Sequence, residues 1–308
     1  MMYFVVGVSI LLGSSASVRA DGLQINGPEC GMSTHGMIVN GTAAEANRFP
    51  WMVYLQMIGT NNGRSACGGS ILTKRHILTA AHCTLDPYGQ PFKRINAYYG
   101  NNDWKRGKSL LVIKIFRHHK YTRTKHANDI AVLQVEKPFQ YGNNARPICI
   151  PAAPMNIFDT ETVVAGWGRL KEGGHTTNHL QYTTVRVLPN ELCSVLYFIL
   201  GYVSDVMYCT YRRGTNSCHS DSGGPLMSRP FGDRYVQVGI VSFAVGCARK
   251  YIPTVYTRVE TFTPWLRRVV GSFDKAYSSE VSLQLASYTI PQWPSIFPSL
   301  RSYAPFFA

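Results

Sequence analysis

Acidic residues are scarce in this sequence: 17 Asp and Glu residues stand against 31 Lys and Arg residues, which leaves a formal net charge of +14. The imbalance is strongest in segment 93–125, where Asp103 is the single acid among ten basic residues. Such a surface is suited to attracting an acidic protein segment or a sulfated glycan, through forces that salt screens. The alternative is a solvated face that only improves solubility, and since no nucleic-acid-binding motif accompanies the charge, we expect no nucleic-acid partner. The ten basic residues are Lys93, Arg94, Lys105, Arg106, Lys108, Lys114, Arg117, Lys120, Arg123 and Lys125.

Clusters of candidate metal ligands are also lacking. The histidines His118, His119 and His126 have no acidic or Cys partners that would complete a coordination shell. We therefore expect neither a metal ion nor a cofactor.

Long apolar runs are absent as well. The N-terminal apolar run extends from Tyr3 to Leu12, and its length of about ten residues is half of the ~20 that a membrane-spanning helix needs. Small residues and a Val-Arg-Ala sequence at 18–20 follow it, as before a signal-peptidase cut, although no Lys or Arg precedes the run. The pattern predicts a signal peptide over residues 1–20 and a secreted, extracellular protein.

Cysteine is present in an even number, which suits an oxidising compartment. Eight cysteines allow 105 connectivities, so the sequence alone does not give their pairing. The eight are Cys30, Cys67, Cys83, Cys149, Cys193, Cys209, Cys218 and Cys247.

The segment 218–226 contains a candidate nucleophile, Ser222. Two glycines follow this serine, leave its hydroxyl uncrowded and let backbone N–H groups converge on one point. A serine hydroxyl needs a base that takes its proton and a third group that orients the base. His82, in a Thr-Ala-Ala-His-Cys motif, and Asp129, at the start of an Asp-Ile-Ala-Val-Leu motif, supply both groups. Any one motif alone could be explained by a tight glycine turn and an unrelated His and Asp. Three motifs in the order His, Asp, Ser predict a catalytic triad.

The motifs around these three residues resemble those of the trypsin/chymotrypsin family of secreted serine proteases. The resemblance covers residues 38–272 and also rests on Ile-Val-Asn-Gly at 38–41, Gly-Trp-Gly at 166–168 and Gly-Ile-Val-Ser-Phe at 239–243. It implies a serine endopeptidase with an all-β fold, in which two six-stranded antiparallel β-barrels pack together and a short helix lies near the C-terminus.

The local sequence pattern fits such a fold. Segments 109–116, 183–188 and 235–241 are short, rich in β-branched residues and bounded by Gly, Pro or Asn, as strands of a barrel are. Thr263 before Pro264 predicts an N-cap and the first residue of the C-terminal helix.

The resemblance also divides the chain. Residues 21–37 would form a propeptide tethered through Cys30, residues 38–272 the protease domain, and residues 273–308 an extension with eight aromatic residues and four prolines. So many aromatic residues favour packing on the barrel or binding to a partner in extended form, and the alternative is a mobile appendage.

The family pattern implies a disulfide pairing that the cysteine spacing alone leaves open. One bridge that is common in the family is absent, because Thr162 and Ser228 stand where its two cysteines would lie. Both ends are lost together, so no thiol is left unpaired. The implied pairs are Cys30 with Cys149, Cys67 with Cys83, Cys193 with Cys209, and Cys218 with Cys247.

The resemblance implies a role for each residue around the nucleophile. His82 would take the proton of Ser222, Asp129 would fix the imidazole tautomer, and Ser242 would donate a further hydrogen bond to Asp129. The backbone N–H groups of Ser220 and Ser222 would form the oxyanion hole. The family usually has glycine at the position of Ser220, so the side chain predicts reduced or more selective activity.

The resemblance also implies activation by proteolysis. A cut between Met37 and Ile38 would free the Ile38 ammonium group to pair with Asp221 and order the oxyanion loop. The family most often has Arg or Lys before this bond. Met37 therefore predicts an activator that accepts Met, or it is an incidental substitution.

The pocket for the side chain before the cut predicts specificity. Asn216 stands six residues ahead of the nucleophile and offers no charge to Lys or Arg. Ala244 and Thr254 replace glycines of relatives that admit large side chains, so a shallow, elastase-like pocket for small aliphatic residues is expected. The alternative is that segment 249–252 remodels the pocket for Leu or aromatic residues. The substrate-binding residues implied by the resemblance are Asn216, Ser242, Phe243, Ala244 and Thr254.

Two functional classes follow from these features. The first is an active secreted endopeptidase with protein or peptide substrates, an activating protease and protein inhibitors of the serpin or another type. The second is a poorly active, protease-like binding protein, which the departures at Met37 and Ser220 favour. The complete triad favours the first.

Overall fold

The structure is a computed structural model that describes residues 24–33, 42–168, 176–212, 221–230, 234–244 and 252–272. Several predicted features lie outside these residues: the signal peptide, the bond after Met37 with Ile38, the selector Asn216, Ser220, Cys218, Cys247, the segment 249–251 and the extension 273–308.

The first barrel is closed by six antiparallel strands in the order β2, β3, β4, β7, β6, β5. Its interior is apolar because alternate side chains of each strand point inwards, and β7 is almost entirely buried. Preceding it, strand β1 (Thr42–Ala43) belongs to the other sheet. The strands are β2 (Met52–Ile58), β3 (Arg64–Thr73), β4 (His76–Thr79), β5 (Arg94–Tyr99), β6 (Lys108–Arg117) and β7 (Ala131–Val135).

The second barrel follows the order β9, β10, β13, β12, β11, β8, and pairing of β8 with β9 closes it. Strand β1 extends this sheet by pairing with β9. The prediction of two six-stranded antiparallel barrels is therefore confirmed. The strands are β8 (Glu161–Gly166), β9 (Gln181–Val187), β10 (Met207–Tyr211), β11 (Pro225–Ser228), β12 (Val236–Ala244) and β13 (Thr254–Arg258).

The two barrels are held together by buried hydrogen bonds between their strands. The Ser70 hydroxyl of β3 donates to Gln237 Oε1 of β12 at 2.6 Å, and the Thr257 hydroxyl of β13 donates to the carbonyl of Asp129 at 2.8 Å. Because buried polar groups need partners, these bonds fix how the barrels face each other. The cleft between them is therefore preformed.

The C-terminal helix α2 extends over residues 259–272, so its predicted start at Pro264 was wrong by five residues. The extra turn forms because Val259 and Phe262 are buried in the core and continue the apolar stripe of the helix. The Thr263 hydroxyl does not cap the helix, because it donates to the carbonyl of Pro151 at 3.0 Å. Tertiary packing therefore overrides the local capping signal.

A second helix, α1 (Asn190–Leu196), was not predicted from the sequence. It begins directly after Pro189 and carries Cys193 into the core, where the disulfide Cys193–Cys209 joins it to β10. The helix is only seven residues long, so its apolar periodicity is too brief to distinguish it from a strand.

The segment 24–33 is docked on the second barrel by a disulfide and by backbone pairing. Cys30 is bonded to Cys149, and Met32 forms an antiparallel bridge with Arg234. The Asn26 side chain bonds both the N–H and the carbonyl of Ile150, at 2.8 Å and 2.9 Å. All six described cysteines are in disulfides, the third bridge being Cys67–Cys83.

The positions of the absent family bridge are neighbours in the second barrel. The register pairs Met227 of β11 with Val163 of β8, which places Ser228 opposite Thr162. Both residues are buried, and the Thr162 hydroxyl donates to the carbonyl of Val185 at 3.0 Å. Strand pairing thus holds these two strands where a disulfide is missing.

Candidate active site

His82 and Asp129 are brought together by two elements of the first barrel. His82 opens the short 3-10 helix His82–Thr84 after β4, and Asp129 precedes β7, the strand paired with β4. Nδ1 of His82 lies 2.7 Å from Oδ2 of Asp129, and the backbone N–H of His82 donates to Oδ1 at 2.9 Å. The ring bond orients the imidazole, and the backbone bond holds the carboxylate next to the residue that carries the ring.

The Asp129 carboxylate is fully buried yet ionised. Burial by itself raises the pKa of Asp129, but the attraction of His82 and the hydrogen bonds from His82 and Ser242 outweigh burial and lower that pKa. Ser242 on β12 of the second barrel supplies the third bond, with its hydroxyl 2.6 Å from Oδ2. Burial likewise lowers the pKa of His82, but the attraction of Asp129 and their hydrogen bond raise it overall.

Ser222 and His82 line one cavity of about 540 Å³ between the barrels. The serine is positioned by backbone bonds to both barrels: its carbonyl accepts from the N–H of Gly68 at 2.7 Å, and the next N–H, of Gly223, donates to the carbonyl of Val241 at 2.8 Å. Gly223 has a φ of +80°, and a Cβ there would lie 2.6 Å from the carbonyl oxygen of Gly68. Glycine is therefore required directly after Ser222.

Asp221 extends towards the Gly-Trp-Gly segment 166–168. Its Oδ1 accepts a hydrogen bond from the N–H of Gly168 at 2.9 Å. A Cβ on Gly168 would approach the carboxylate to 2.5 Å, so the two glycines at 166 and 168 leave the space that the carboxylate occupies. Its predicted partner, Ile38, lies outside the described residues.

The described residues of the predicted substrate pocket line the same cavity. Ala244 of β12 and Thr254 of β13 are directly paired across the two strands, and Phe243 lies beside them. The methyl group of Ala244 and the branched side chain of Thr254 occupy space that two glycines would leave open.

His126 is a residue of the cleft that the sequence analysis considered only as a metal ligand. Its ring stacks on Phe243, with centroids 4.9 Å apart, and it lines the cavity with Ser222 and His82. Burial lowers the pKa of His126. No motif in the sequence marks this residue, because its place in the cleft depends on the contact between the loop before β7 and β12.

The ten basic residues of segment 93–125 are all exposed. They lie on and around β5 and β6, and in the loop that leads from β6 to Asp129. The structure therefore places the charge at the surface of the first barrel.

Two further observations concern candidate metal ligands and membrane-spanning helices. Cys67, His82 and Cys83 bring candidate ligand atoms within 4.8 Å of one another, but the two sulfur atoms form a disulfide and offer no thiolate. Within the described part of the chain, no helix has the length and apolarity needed to cross a membrane.

The two barrels, the buried His–Asp pair and the serine in the shared cleft define the class of two-barrel serine endopeptidases. The family model described as "Trypsin" matches residues 38–266, and the chain belongs to the trypsin family.

Three curated relatives are each about one third identical to this chain over the aligned residues. It is 32% identical over 257 residues to "Serine protease filzig" of Drosophila melanogaster and 32% identical over 255 residues to "Serine proteinase stubble" of the same organism. These alignments cover 79% and 77% of this chain but 15% and 32% of the two relatives. It is also 32% identical over 263 residues to "Clotting factor G beta subunit" of Tachypleus tridentatus, covering 80% of this chain and 84% of that protein.

Proposed function

We propose that this chain is a secreted serine endopeptidase that is made as a zymogen and cuts after small aliphatic residues. The observation that carries the proposal is the fully buried Asp129 carboxylate, which holds His82 in the cleft that Ser222 also lines. A histidine held in this way, beside a serine on a glycine turn, suits proton transfer at that serine.

The reaction would proceed through an acyl-enzyme. His82 takes the proton of Ser222 as its oxygen attacks a peptide carbonyl, and the imidazolium then gives the proton to the leaving amine. A water molecule then attacks the acyl-enzyme through the same proton transfers and releases the carboxylic acid product. The N–H groups of Ser220 and Ser222 would hold the oxyanion, an interaction whose loss lowers the rate by about 10²–10³ in related chemistry.

The side chains of Ala244 and Thr254 support the preference for small aliphatic residues. Both stand at the cavity wall, where they shorten the space for a long side chain. Asn216 would leave a Lys or Arg charge unpaired, which disfavours cleavage after basic residues. The alternative specificity is a preference for Leu or aromatic residues. The alternative function is that of a poorly active, protease-like binding protein, which the departures at Ser220 and Met37 favour.

The docked segment 24–33 supports activation by a single cut. Cys30 and the bonds of Asn26 would keep the propeptide attached after cleavage between Met37 and Ile38. The carboxylate of Asp221, in its space between Gly166 and Gly168, would then pair with the new Ile38 ammonium group. The signal sequence and the disulfides support secretion.

The experiment that tests the proposal uses the matured chain beginning at Ile38, with its propeptide still linked through Cys30. A fluorophosphonate should label Ser222, and the Ser222→Ala variant should stay unlabelled. A peptide library then reports the preferred residue before the cut. Absence of labelling would favour the binding protein.

The basic surface of segment 93–125 would serve as a secondary site for an acidic protein segment or a sulfated glycan. The exposure of all ten residues supports this role. Retention on a sulfated-glycan column, lost at high salt and weakened by charge reversal at Lys108 and Arg117, would test it. An activating protease and serpin-type inhibitors are the further partners expected from the family.

A further inference from the structure

Exposed apolar side chains are concentrated in one short segment, residues 192–203. Seven of the ten large hydrophobic residues that are exposed in the described part of the chain lie there. The three most exposed are Val195 at 76%, Phe198 at 83% and Ile199 at 94%. These three belong to the group that we call the apolar patch, which consists of Leu192, Val195, Leu196, Phe198, Ile199, Leu200 and Val203. Single exposed hydrophobic residues are ordinary, but a contiguous group marks an interaction surface.

The apolar patch stands on an anchored base. The Tyr197 side chain is buried within it, and its hydroxyl donates to the carbonyl of Pro253. The disulfide Cys193–Cys209 joins helix α1 to β10, and the Tyr202 hydroxyl lies 3.0 Å from the carbonyl of Met207. The segment is therefore held in place while its apolar side chains face solvent.

The shape of the patch favours a surface over a peptide as its occupant. Side chains that expose 83% and 94% of their area protrude, so Phe198 and Ile199 form a convex tip. Peptides and small ligands bind in concave sites. A convex apolar tip instead matches the boundary between headgroups and acyl chains of a bilayer, into which apolar side chains insert.

The charge beside the patch points to an anionic bilayer. The methylene groups of Lys125 lie against Gly201, within the patch segment, where a Cβ would be 3.7 Å from its Cγ. Exposed Lys120 belongs to the same loop, whereas the Arg123 guanidinium donates to the carbonyl of Pro87, and the exposed acids Glu191 and Asp205 lie at the two ends of the segment. Basic side chains next to an apolar tip attract anionic headgroups while the tip inserts.

We propose that the apolar patch and the adjoining loop 118–130, which carries Lys125, form a docking site for an anionic phospholipid surface. The ring of Tyr197 contacts Phe243 in the cleft, with centroids 5.8 Å apart. Docking thus holds the cleft next to the bilayer, so proteins at that surface are the substrates it reaches first. The binding does not require catalysis, and its failure is therefore distinguishable from failure of the proposed protease activity.

Sedimentation of the full chain with lipid vesicles tests the proposal. The chain should bind vesicles of phosphatidylcholine mixed with phosphatidylserine, bind phosphatidylcholine alone more weakly, and be released by salt. The double variant Phe198→Ser with Ile199→Ser should bind these vesicles at least about tenfold more weakly than the unmodified chain. The matched control is Ile113→Ser, since Ile113 is an exposed apolar residue on β6, and it should bind as the unmodified chain does. Thermal unfolding checks that each variant is folded.

A charge variant tests the same site by a second route. Lys125→Glu should weaken vesicle binding more than Lys105→Glu, which makes the same change in net charge in the turn Trp104–Arg106. If the double variant does not fold, Ile199→Ser takes its place. The proposal is overturned if the chain does not bind the mixed vesicles, or if Ile113→Ser weakens binding as much as the double variant does. It is also overturned if the charge variants weaken binding and the double variant does not. Self-association that the double variant abolishes, without vesicle binding, would assign the patch to a second copy instead.

Discussion

At the scale of single residues, the Asp129 carboxylate connects the two barrels chemically. It accepts hydrogen bonds from the backbone and ring of His82 in the first barrel and from Ser242 in the second. Because a buried carboxylate is costly without such partners, the fold and the catalytic geometry depend on the same bonds. Removing one partner should therefore affect stability as well as activity, whereas removing the nucleophile should affect activity alone.

Substitution of the triad tests this distinction. Ser222→Ala and His82→Ala should each lower peptide hydrolysis by about 10⁴-fold or more. Only His82→Ala should also lower the free energy of unfolding, since it removes the ring donor from buried Asp129. Hydrolysis rates and denaturant unfolding of both variants measure the two effects. Activity that survives either change would refute the triad.

The pH dependence of hydrolysis follows from the raised pKa of His82. Only the neutral imidazole accepts the Ser222 proton, and the neutral form is populated above the folded pKa. Attraction to Asp129 and their hydrogen bond place that pKa above the ordinary value of about 6.5. The profile of kcat/KM should therefore fall as pH decreases through a midpoint above 6.5. A midpoint below that value would contradict the assigned His–Asp interaction.

Residues defined by chemistry were predictable from the sequence, and residues defined by packing were not. His82, Asp129 and Ser222 lie in recognisable motifs because the proposed reaction requires these residue types in a fixed local geometry. His126 gave no such signal, because its stacking on Phe243 arises only when the loop before β7 meets β12. Its position in the cleft is a consequence of tertiary structure.

At the scale of elements, the tight turn after Ser222 requires a glycine in the left-handed region of φ. Gly223→Ala should lower the free energy of unfolding by about 2–4 kcal/mol, since its φ of +80° and its contacts leave no room for a Cβ. The matched control is Gly271→Ala in helix α2, where a Cβ meets nothing within 4 Å. That variant should be stabilised by about 0.5–1 kcal/mol. Equal effects in urea unfolding would show that the turn carries no such constraint.

The facing strands β12 and β13 would set the depth of the proposed substrate pocket, since Ala244 and Thr254 line the cavity. Replacing Ala244 and Thr254 together with Gly should admit Phe, Tyr or Leu before the cut, with each added methylene that fits contributing roughly 1–3 kcal/mol. A peptide library should show preference moving from Ala and Val to these larger residues. The interpretation fails if the unmodified enzyme prefers Arg, or if the doubly substituted enzyme keeps the original profile.

The strands with a clear β-branched composition were predictable from the sequence, whereas the helices were predicted less well. The strand-like segments 109–116, 183–188 and 235–241 overlap β6, β9 and β12, since their β-branched residues and the Gly, Pro or Asn at their ends favour strands. Helix α1 was missed because it is short, and α2 starts early because core contacts of Val259 and Phe262 outweigh the signal of Thr263 and Pro264. At the start of α2, burial of apolar side chains in the core therefore outweighs the local helix-capping preference.

At the scale of the whole molecule, the chain on each side of the predicted activation bond is anchored to the barrels. Before the bond, the Ser33 hydroxyl donates to the carbonyl of Arg48 at 2.7 Å, and Cys30 is bonded to Cys149. After it, Thr42 is paired with Tyr182 in the second barrel. A cut in between would therefore free a new terminus while the proposed propeptide stays attached.

Changing the residue before that bond tests the activation route. Met37→Arg should let trypsin activate the zymogen at least about tenfold faster than the unmodified chain, since trypsin requires a basic residue before the cut. The two products should separate on a gel only after reduction, because Cys30–Cys149 joins them. Adding Asp221→Asn to Met37→Arg is the control: cleavage should proceed at the same rate, while hydrolysis stays low because the new Ile38 ammonium group lacks its counter-charge. Equal activation with and without Met37→Arg would place the activating cut elsewhere.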